Sequence, residues 1–113
     1  MEIILENCKK NGIHNFLIST FYLSNKIKNY FGDGSKWNVE IKYLEEPFPL
    51  GTAGSLSLIS ENLNSPLLII NGDVLTKVSI RDIINFHEVN EADVTLCGRE
   101  YQYKIPFGVL NFN

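Results

Sequence analysis

The sequence predicts an α/β fold built on a mainly parallel sheet, and three observations carry that prediction. Apolar segments of strand length alternate with segments of helical spacing, joined by connections of a few residues. Leu67 to Ile70, after Pro66, is a continuous apolar run of the kind found in strands buried on both faces. Two strand ends carry polar, glycine-bearing exits. One is Glu45-Glu46-Pro47-Phe48-Pro49-Leu50-Gly51-Thr52-Ala53-Gly54-Ser55-Leu56, and the other is Asn71-Gly72-Asp73. Ligands of parallel α/β sheets sit outside the carboxyl ends of the strands.

Taken in order, Ile3, Ile4, Leu5, Cys8 and Ile13 give a first helix, with Lys9 and Lys10 placed to complement the dipole and Asn11-Gly12 to stop it. Asn15 to Thr20 is a strand with Phe-Leu-Ile at its centre. Ser24 is positioned to cap a second helix, Asn25 to Phe31, closed by Gly32. Phe31-Gly32-Asp33-Gly34-Ser35 is a turn-rich loop, and Trp37 after it reads as a packing anchor. Val39 to Leu44 sets Val, Ile and Tyr against Glu and Lys with a period of two, the pattern of a strand near a sheet edge. Thr52 to Asn62 reads as a helix, with Leu56 and Ile59 inward and Thr52 as a candidate N-cap. After the strand Leu67 to Ile70, Ser79 opens a helix from Ile80 to Val89. Strands at Ala92 to Cys97 and Phe107 to Phe112 complete the alternation.

Composition bounds the class. The chain has 113 residues, 44% hydrophobic and 12% aromatic, which is one domain or less with enough apolar surface for a core. A formal net charge of −3 speaks against a nucleic-acid surface. No stretch approaches the roughly 20 apolar residues of a membrane span, and the start reads as an amphipathic helix rather than a signal peptide. Cys8 and Cys97 make neither a disulfide framework nor a zinc site. They read as small buried thiols, and a cytoplasmic setting follows. His14 falls in a polar loop and His87 on a helix face, neither in a catalytic arrangement.

The segment from Glu45 to Leu56 has its own chemistry. Two carboxylates end a strand. Pro47 and Pro49 fix an extended path and donate no N–H. Gly51 and Gly54 let a flat ligand approach the backbone, and the N–H groups of a first helical turn suit a polar or anionic ligand. A plain strand-to-helix turn explains the same residues.

Glu46-Pro47-Phe48-Pro49-Leu50-Gly51-Thr52-Ala53-Gly54-Ser55-Leu56, followed by Leu68-Ile69-Ile70-Asn71-Gly72-Asp73-Val74-Leu75, resembles the sugar-1-phosphate nucleotidyltransferases, also called nucleotide-sugar pyrophosphorylases. Phe31-Gly32-Asp33-Gly34-Ser35 and Pro106-Phe107-Gly108-Val109 extend the resemblance through nearly the whole chain, closest in flavour to mannose-1-phosphate guanylyltransferases. The resemblance implies a Rossmann-like three-layer sandwich of the nucleotide-diphospho-sugar transferase type. It implies transfer from a nucleoside triphosphate to a sugar-1-phosphate with release of pyrophosphate, and Mg2+ as cofactor. Asp73 matches the family's metal-binding Asp. Glu46, Leu50, Gly51, Thr52, Asn71 and Gly72 match nucleotide-binding positions, and Gly108 matches the glycine beside the sugar.

Glu46 stands where relatives place the residue that reads the base. Uracil and thymine offer one ring N–H between two carbonyls, which suits an amide. Guanine offers N1–H and an exocyclic amine side by side, which suits a carboxylate accepting twice. Guanine is therefore favoured and cytosine is second. Glu45 remains the other candidate reader.

The sequence departs from the family in two places. Members open with a strand and a phosphate-binding loop of the form G-x-G-T-R-L, then a Pro-Lys, and this chain contains neither. Met1 to Leu5 looks like the helix after that region, and the family's later sugar-binding residues and second metal-binding Asp would fall beyond Asn113. The chain thus reads as part of a catalytic domain. The family's first strand lies between the equivalents of Asn15–Thr20 and Leu67–Ile70. Its absence leaves two edges expected to pair with each other or to make a homodimer. A non-catalytic relative that senses a nucleotide sugar, and a plain Rossmann-like scaffold, are the competing readings.

Overall fold

A computed structural model describes residues 1–104 and 106–108. Its elements, in order, are helix α1 (Glu2–Lys10), strand β1 (Asn15–Thr20), helix α2 (Ser24–Phe31), a 3-10 helix (Ser35–Trp37), strand β2 (Glu40–Glu45), a second 3-10 helix (Gly54–Leu58) and helix α3 (Ile80–Val89). The chain divides into two compact units, Met1–Val78 and Ser79–Asn113.

In the first unit, β1 and β2 pair in parallel, from Asn15 opposite Glu40 to Thr20 opposite Glu45. Parallel strands need a crossover, supplied here by α2 and the 3-10 helix. Even positions of β1 and odd positions of β2 share a face. Phe16, Ile18 and Tyr43 pack there against a core of Leu5, Phe31, Val39 and Ile41. Burying that core is the principal stabilising term of the unit. Trp37 packs against the same cluster as the sequence leads one to expect, and Lys9 Nζ donates to its carbonyl at 3.0 Å. Its indole N–H has no partner among the described residues.

The loop from Phe31 to Ser35 is built as a tight corner. Asp33 accepts the Ser35 N–H at 2.9 Å, and Ile41 N–H donates to the Asp33 carbonyl at 2.9 Å. Gly34 has φ +89, and a Cβ there would lie 2.6 Å from the Val39 carbonyl oxygen. Only glycine meets both demands. The corner starts β2 in register.

α1, β1, β2 and α3 fall on the predicted segments within one residue of the expected limits. In the second unit, Ser79 caps α3 as expected, its hydroxyl accepting the Asp82 N–H at 3.2 Å. His87 Nδ1 lies 3.0 Å from the Thr95 hydroxyl, a satisfied helix histidine.

Several expectations are corrected. α2 begins at Ser24 itself, with Leu23 in the cap position at φ 56 and no side-chain cap bond. The Ser24 hydroxyl is engaged 3.1 Å from that of Thr20 instead. The helix expected over Thr52 to Asn62 is a turn and the short 3-10 helix Gly54–Leu58. Its serines compete for backbone partners, as Ser57 Oγ does by donating to the Gly54 carbonyl at 2.7 Å, and Gly54 disfavours a helix interior by about 1 kcal/mol. Ala53, not Thr52, holds the cap position.

Leu67 to Ile70 and Ala92 to Cys97 form no strand. Ile69 is 58% exposed and Leu96 89%. A strand is stabilised by neighbours on its edges and faces, and neither segment has strand partners among the described residues. The two edges expected to pair with each other within the chain therefore do not. Cys8 is buried as expected, but Cys97 is exposed. Most of the strand expected from Phe107 to Phe112 lies outside the described residues.

Candidate functional site

The carboxyl ends of β1 and β2 finish side by side, and the candidate site grows from them. Beyond the last ladder pair, Glu46 N–H donates to the Thr20 carbonyl at 3.0 Å, which carries the pairing one residue further. The two carboxylates that close β2 then diverge, as alternation along an extended chain requires. Glu45 forms an ion pair with Lys28 of α2, whose ammonium also sits 5.6 Å from the centre of the Tyr43 ring. Glu46 turns to the other side and accepts two hydrogen bonds. The Ser19 hydroxyl donates to Oε1, and the Leu50 N–H donates to Oε2 at 3.0 Å. Of the two candidate base readers, Glu45 is committed to Lys28 and Glu46 heads the loop.

That loop is pinned by its own residues. Pro47 and Pro49 have no N–H, so Phe48 and Leu50 supply the backbone donors between Glu46 and Gly51. One of those two closes on the Glu46 carboxylate. Gly51 then takes φ +86 and reverses the chain. A Cβ on Gly54 would lie 2.5 Å from Leu50 Cβ. The two glycines thus have separate duties, one conformational and one of close approach. Thr52 stands exposed in this turn.

The electrostatics follow from the hydrogen bonds. The Leu50 N–H, and after it the Ser19 hydroxyl, hold the Glu46 carboxyl below the usual carboxylate range. The group is a preset anion with, among the described residues, one internal donor on each oxygen. A carboxylate has about four acceptor positions, so about one on each oxygen stays open.

Asn71, Gly72 and Asp73 lie in an exposed turn closed by Val74 N–H donating to the Asn71 carbonyl at 3.2 Å. Asp73 stands there as a single exposed carboxylate. Among the described residues, no group of three or more His, Cys, Asp or Glu side chains gathers to hold a metal ion. A lone carboxylate does not select one metal ion; it suits a hydrated divalent cation whose remaining ligands are water and phosphate oxygens. Gly108 belongs to the second unit and has open space around it.

The structure thus joins Glu46 and Leu50 directly and places Gly51 and Thr52 in the same loop. Asn71, Gly72 and Asp73 form a separate turn of the same unit. Sequence reasoning missed Ser19, whose place opposite Glu46 depends on the β1–β2 register and on the turn that follows.

The family model described as Nucleotidyl transferase matches residues 1–113. The chain belongs to the nucleotidyl transferase family. A mannose-1-phosphate guanylyltransferase of Mycobacterium tuberculosis is 35% identical over 94 residues, covering 82% of this chain and 26% of the relative. A mannose-1-phosphate guanyltransferase of Pichia angusta is 31% identical over 78 residues, covering 66% and 21%. A glucose-1-phosphate adenylyltransferase of Bacillus thuringiensis is 28% identical over 131 aligned positions, covering 100% and 35%. The chain therefore spans about a fifth to a third of the length of these nucleotidyltransferases. No solved structure matches it. Among the described residues, no helix is long and apolar enough to cross a membrane.

Proposed function

We propose that this chain carries nucleotide-binding residues of a sugar-1-phosphate guanylyltransferase, an enzyme that makes a nucleoside-diphosphate sugar and pyrophosphate from GTP and a sugar-1-phosphate. The observation that carries the reading is the Glu46 carboxylate, held at the paired strand ends by the Ser19 hydroxyl and the Leu50 N–H; counting acceptor positions leaves about one on each oxygen for a ligand. Two adjacent N–H donors of a guanine edge match it, and the carbonyls of uracil or thymine oppose it. The names of two relatives, both guanylyl-transferring and mannose-1-phosphate-using, support the same choice.

In this reading a phosphate oxygen of the sugar-1-phosphate attacks the α-phosphorus of the triphosphate and the bond to pyrophosphate breaks. Such transfer rests on positioning and charge stabilisation rather than on a covalent protein nucleophile. Glu46 orients the base, while Leu50, Gly51 and Thr52 lay it against the backbone. Asn71 and Gly72 shape the approach of the nucleotide, and Gly108 lies beside the sugar. Asp73 would hold Mg2+, which when bound neutralises phosphate charge. The complete domain in this reading is a three-layer sandwich, and the enzyme works in the cytoplasm.

Pyrophosphate release by the full-length protein tests the proposal, with GTP, ATP, CTP, UTP and dTTP each offered with mannose-1-phosphate or glucose-1-phosphate and magnesium. Release with GTP that falls about a hundredfold in Asp73→Ala and at least tenfold in Glu46→Gln is expected, the latter matching the loss of a charged hydrogen bond. Release confined to ATP or UTP keeps the family and removes the guanine assignment. Dimerisation belongs to the same proposal, because β1 has no strand partner on its second edge among the described residues. Light scattering should find two copies, and a monodisperse monomer ends that part.

A further inference from the structure

We infer that Ser19 is a positioning residue for the nucleotide-reading carboxylate. Its hydroxyl, donating to Glu46 Oε1, fixes the side chain so that one acceptor position on each oxygen stays free for two adjacent ligand N–H groups. The inference rests on the base-reading role proposed for Glu46 and says how that role is made selective.

The geometry ties Glu46 to β1 twice. Its N–H donates to the carbonyl of Thr20, and its carboxylate accepts from the neighbouring Ser19. Ser19 is itself placed by the parallel register, opposite Leu44. The third tie is the Leu50 N–H on Oε2 at 3.0 Å, one of the two backbone donors that Pro47 and Pro49 leave in the loop. A glutamate side chain free in water populates many rotamers, and ordering it before the ligand arrives removes that cost from binding. The division of labour is specific. Leu50 joins the carboxylate to the loop that moves with it, whereas Ser19 joins it to the sheet. Without the Ser19 hydroxyl, loop and carboxylate still hold each other but are no longer aimed by the strand.

Two features make the position testable. Ser19 is exposed and outside the apolar core, so its truncation leaves the packing of β1 and β2 intact. Inosine nucleotides present the ring N–H of guanine without the exocyclic amine, so the ratio of GTP to ITP affinity reads the second hydrogen bond alone. Titration calorimetry on the full-length protein compares wild type, Ser19→Ala, Ser19→Thr and Glu46→Gln. Wild type should prefer GTP over ITP about tenfold, the scale of one charge-assisted hydrogen bond. Ser19→Ala should bring that ratio close to one with ITP affinity little changed, and Ser19→Thr, which keeps the hydroxyl, should restore it. In the ligand-free protein, the Leu50 amide proton and the Glu46 carboxyl carbon should shift on Ser19→Ala.

A tenfold preference that survives Ser19→Ala overturns the role of Ser19 and leaves Glu46 standing as the reader. Equal affinities for GTP and ITP in wild type and Glu46→Gln overturn the base-reading role itself, and the purpose assigned to Ser19 falls with it.

Discussion

β1 and the run Leu67 to Ile70 invite comparison, because the less apolar of the two is the one that forms a strand. β1 is Asn-Phe-Leu-Ile-Ser-Thr, polar at both ends. Leu67 to Ile70 is apolar throughout yet lies outside the sheet, with Ile69 58% exposed. The difference is in what surrounds them. β1 has a crossover, α2 and the Ser35–Trp37 turn, that delivers β2 in parallel register alongside. It also has a core on one face, drawn from α1, α2, Val39 and β2. The connection from β2 to Leu67 contains only the 3-10 helix Gly54–Leu58, and no described strand flanks the run. Strand propensity is largely a measure of fit to neighbours.

The comparison is broken most forcefully by substituting one residue in each region. Phe31→Ala removes a buried ring, 7% exposed, from the core under β1 and β2. It should destabilise the chain by about 3–5 kcal/mol, measured as a fall in the midpoint of urea unfolding. Ile69→Ala should change stability by no more than about 0.5 kcal/mol. A cost at Ile69 equal to that at Phe31 would show that the run is packed in solution, and the contrast would fail.

A smaller effect is expected at the glycine corner that starts β2. Gly34→Ala meets both a positive φ and a carbonyl 2.6 Å from the new Cβ, and should cost about 2–3 kcal/mol. Gly12 has a similar φ of +84 with open space around it. Gly12→Ala should therefore cost only about 1–2 kcal/mol, the conformational part alone. Equal costs in thermal unfolding would mean that Val39 yields and that the corner does not set the register.

Gly54→Ala sharpens the comparison at the site rather than in the core. Its Cβ would press on Leu50 Cβ at 2.5 Å and push Leu50 away from Glu46. Global stability should move by about 1 kcal/mol or less, while under the base-reading role proposed for Glu46 the GTP affinity of the full-length protein should fall about tenfold, the scale of a lost charged hydrogen bond. Equal losses for GTP and ITP would trace the effect to the backbone cradle, whereas a larger loss for GTP traces it to Glu46.

Local chemistry made α1, β1, β2 and α3 legible. The alternation in Val39–Leu44, the apolar centre of β1 and the Ser79 cap each act over a few residues, and each element appears within one residue of its expected limits. The segment after Glu46 carries the helical spacing of Leu56 and Ile59, but its serines and Gly54 take the backbone into a turn and the short 3-10 helix Gly54–Leu58 instead. At Leu67 to Ile70 and Ala92 to Cys97 a strand would need flanking partners, which no local pattern supplies. Ser19 was invisible for a related reason. A serine at a strand end has many ordinary explanations, and only the register that brings it to Glu46 distinguishes it.

The smallest effect expected is on pH, and it separates the loop from the core. The Leu50 N–H and the Ser19 hydroxyl lower the Glu46 carboxyl below its ordinary value. A carboxyl whose folded value is depressed stabilises the folded loop above its unfolded pKa and loses that contribution as pH falls through the folded one. The clamp should therefore be complete at neutral pH, persist through the ordinary carboxylate range near about pH 4, and open below it. Exchange of the Leu50 amide, followed by NMR against pH, should show that opening, while amides of β1 and β2 in the ladder stay protected over the same range. In Ser19→Ala the opening should move to higher pH, since one of the two depressing hydrogen bonds is gone. Opening that coincides with loss of the ladder amides would mean that the loop has no stability of its own and that the carboxylate follows the sheet.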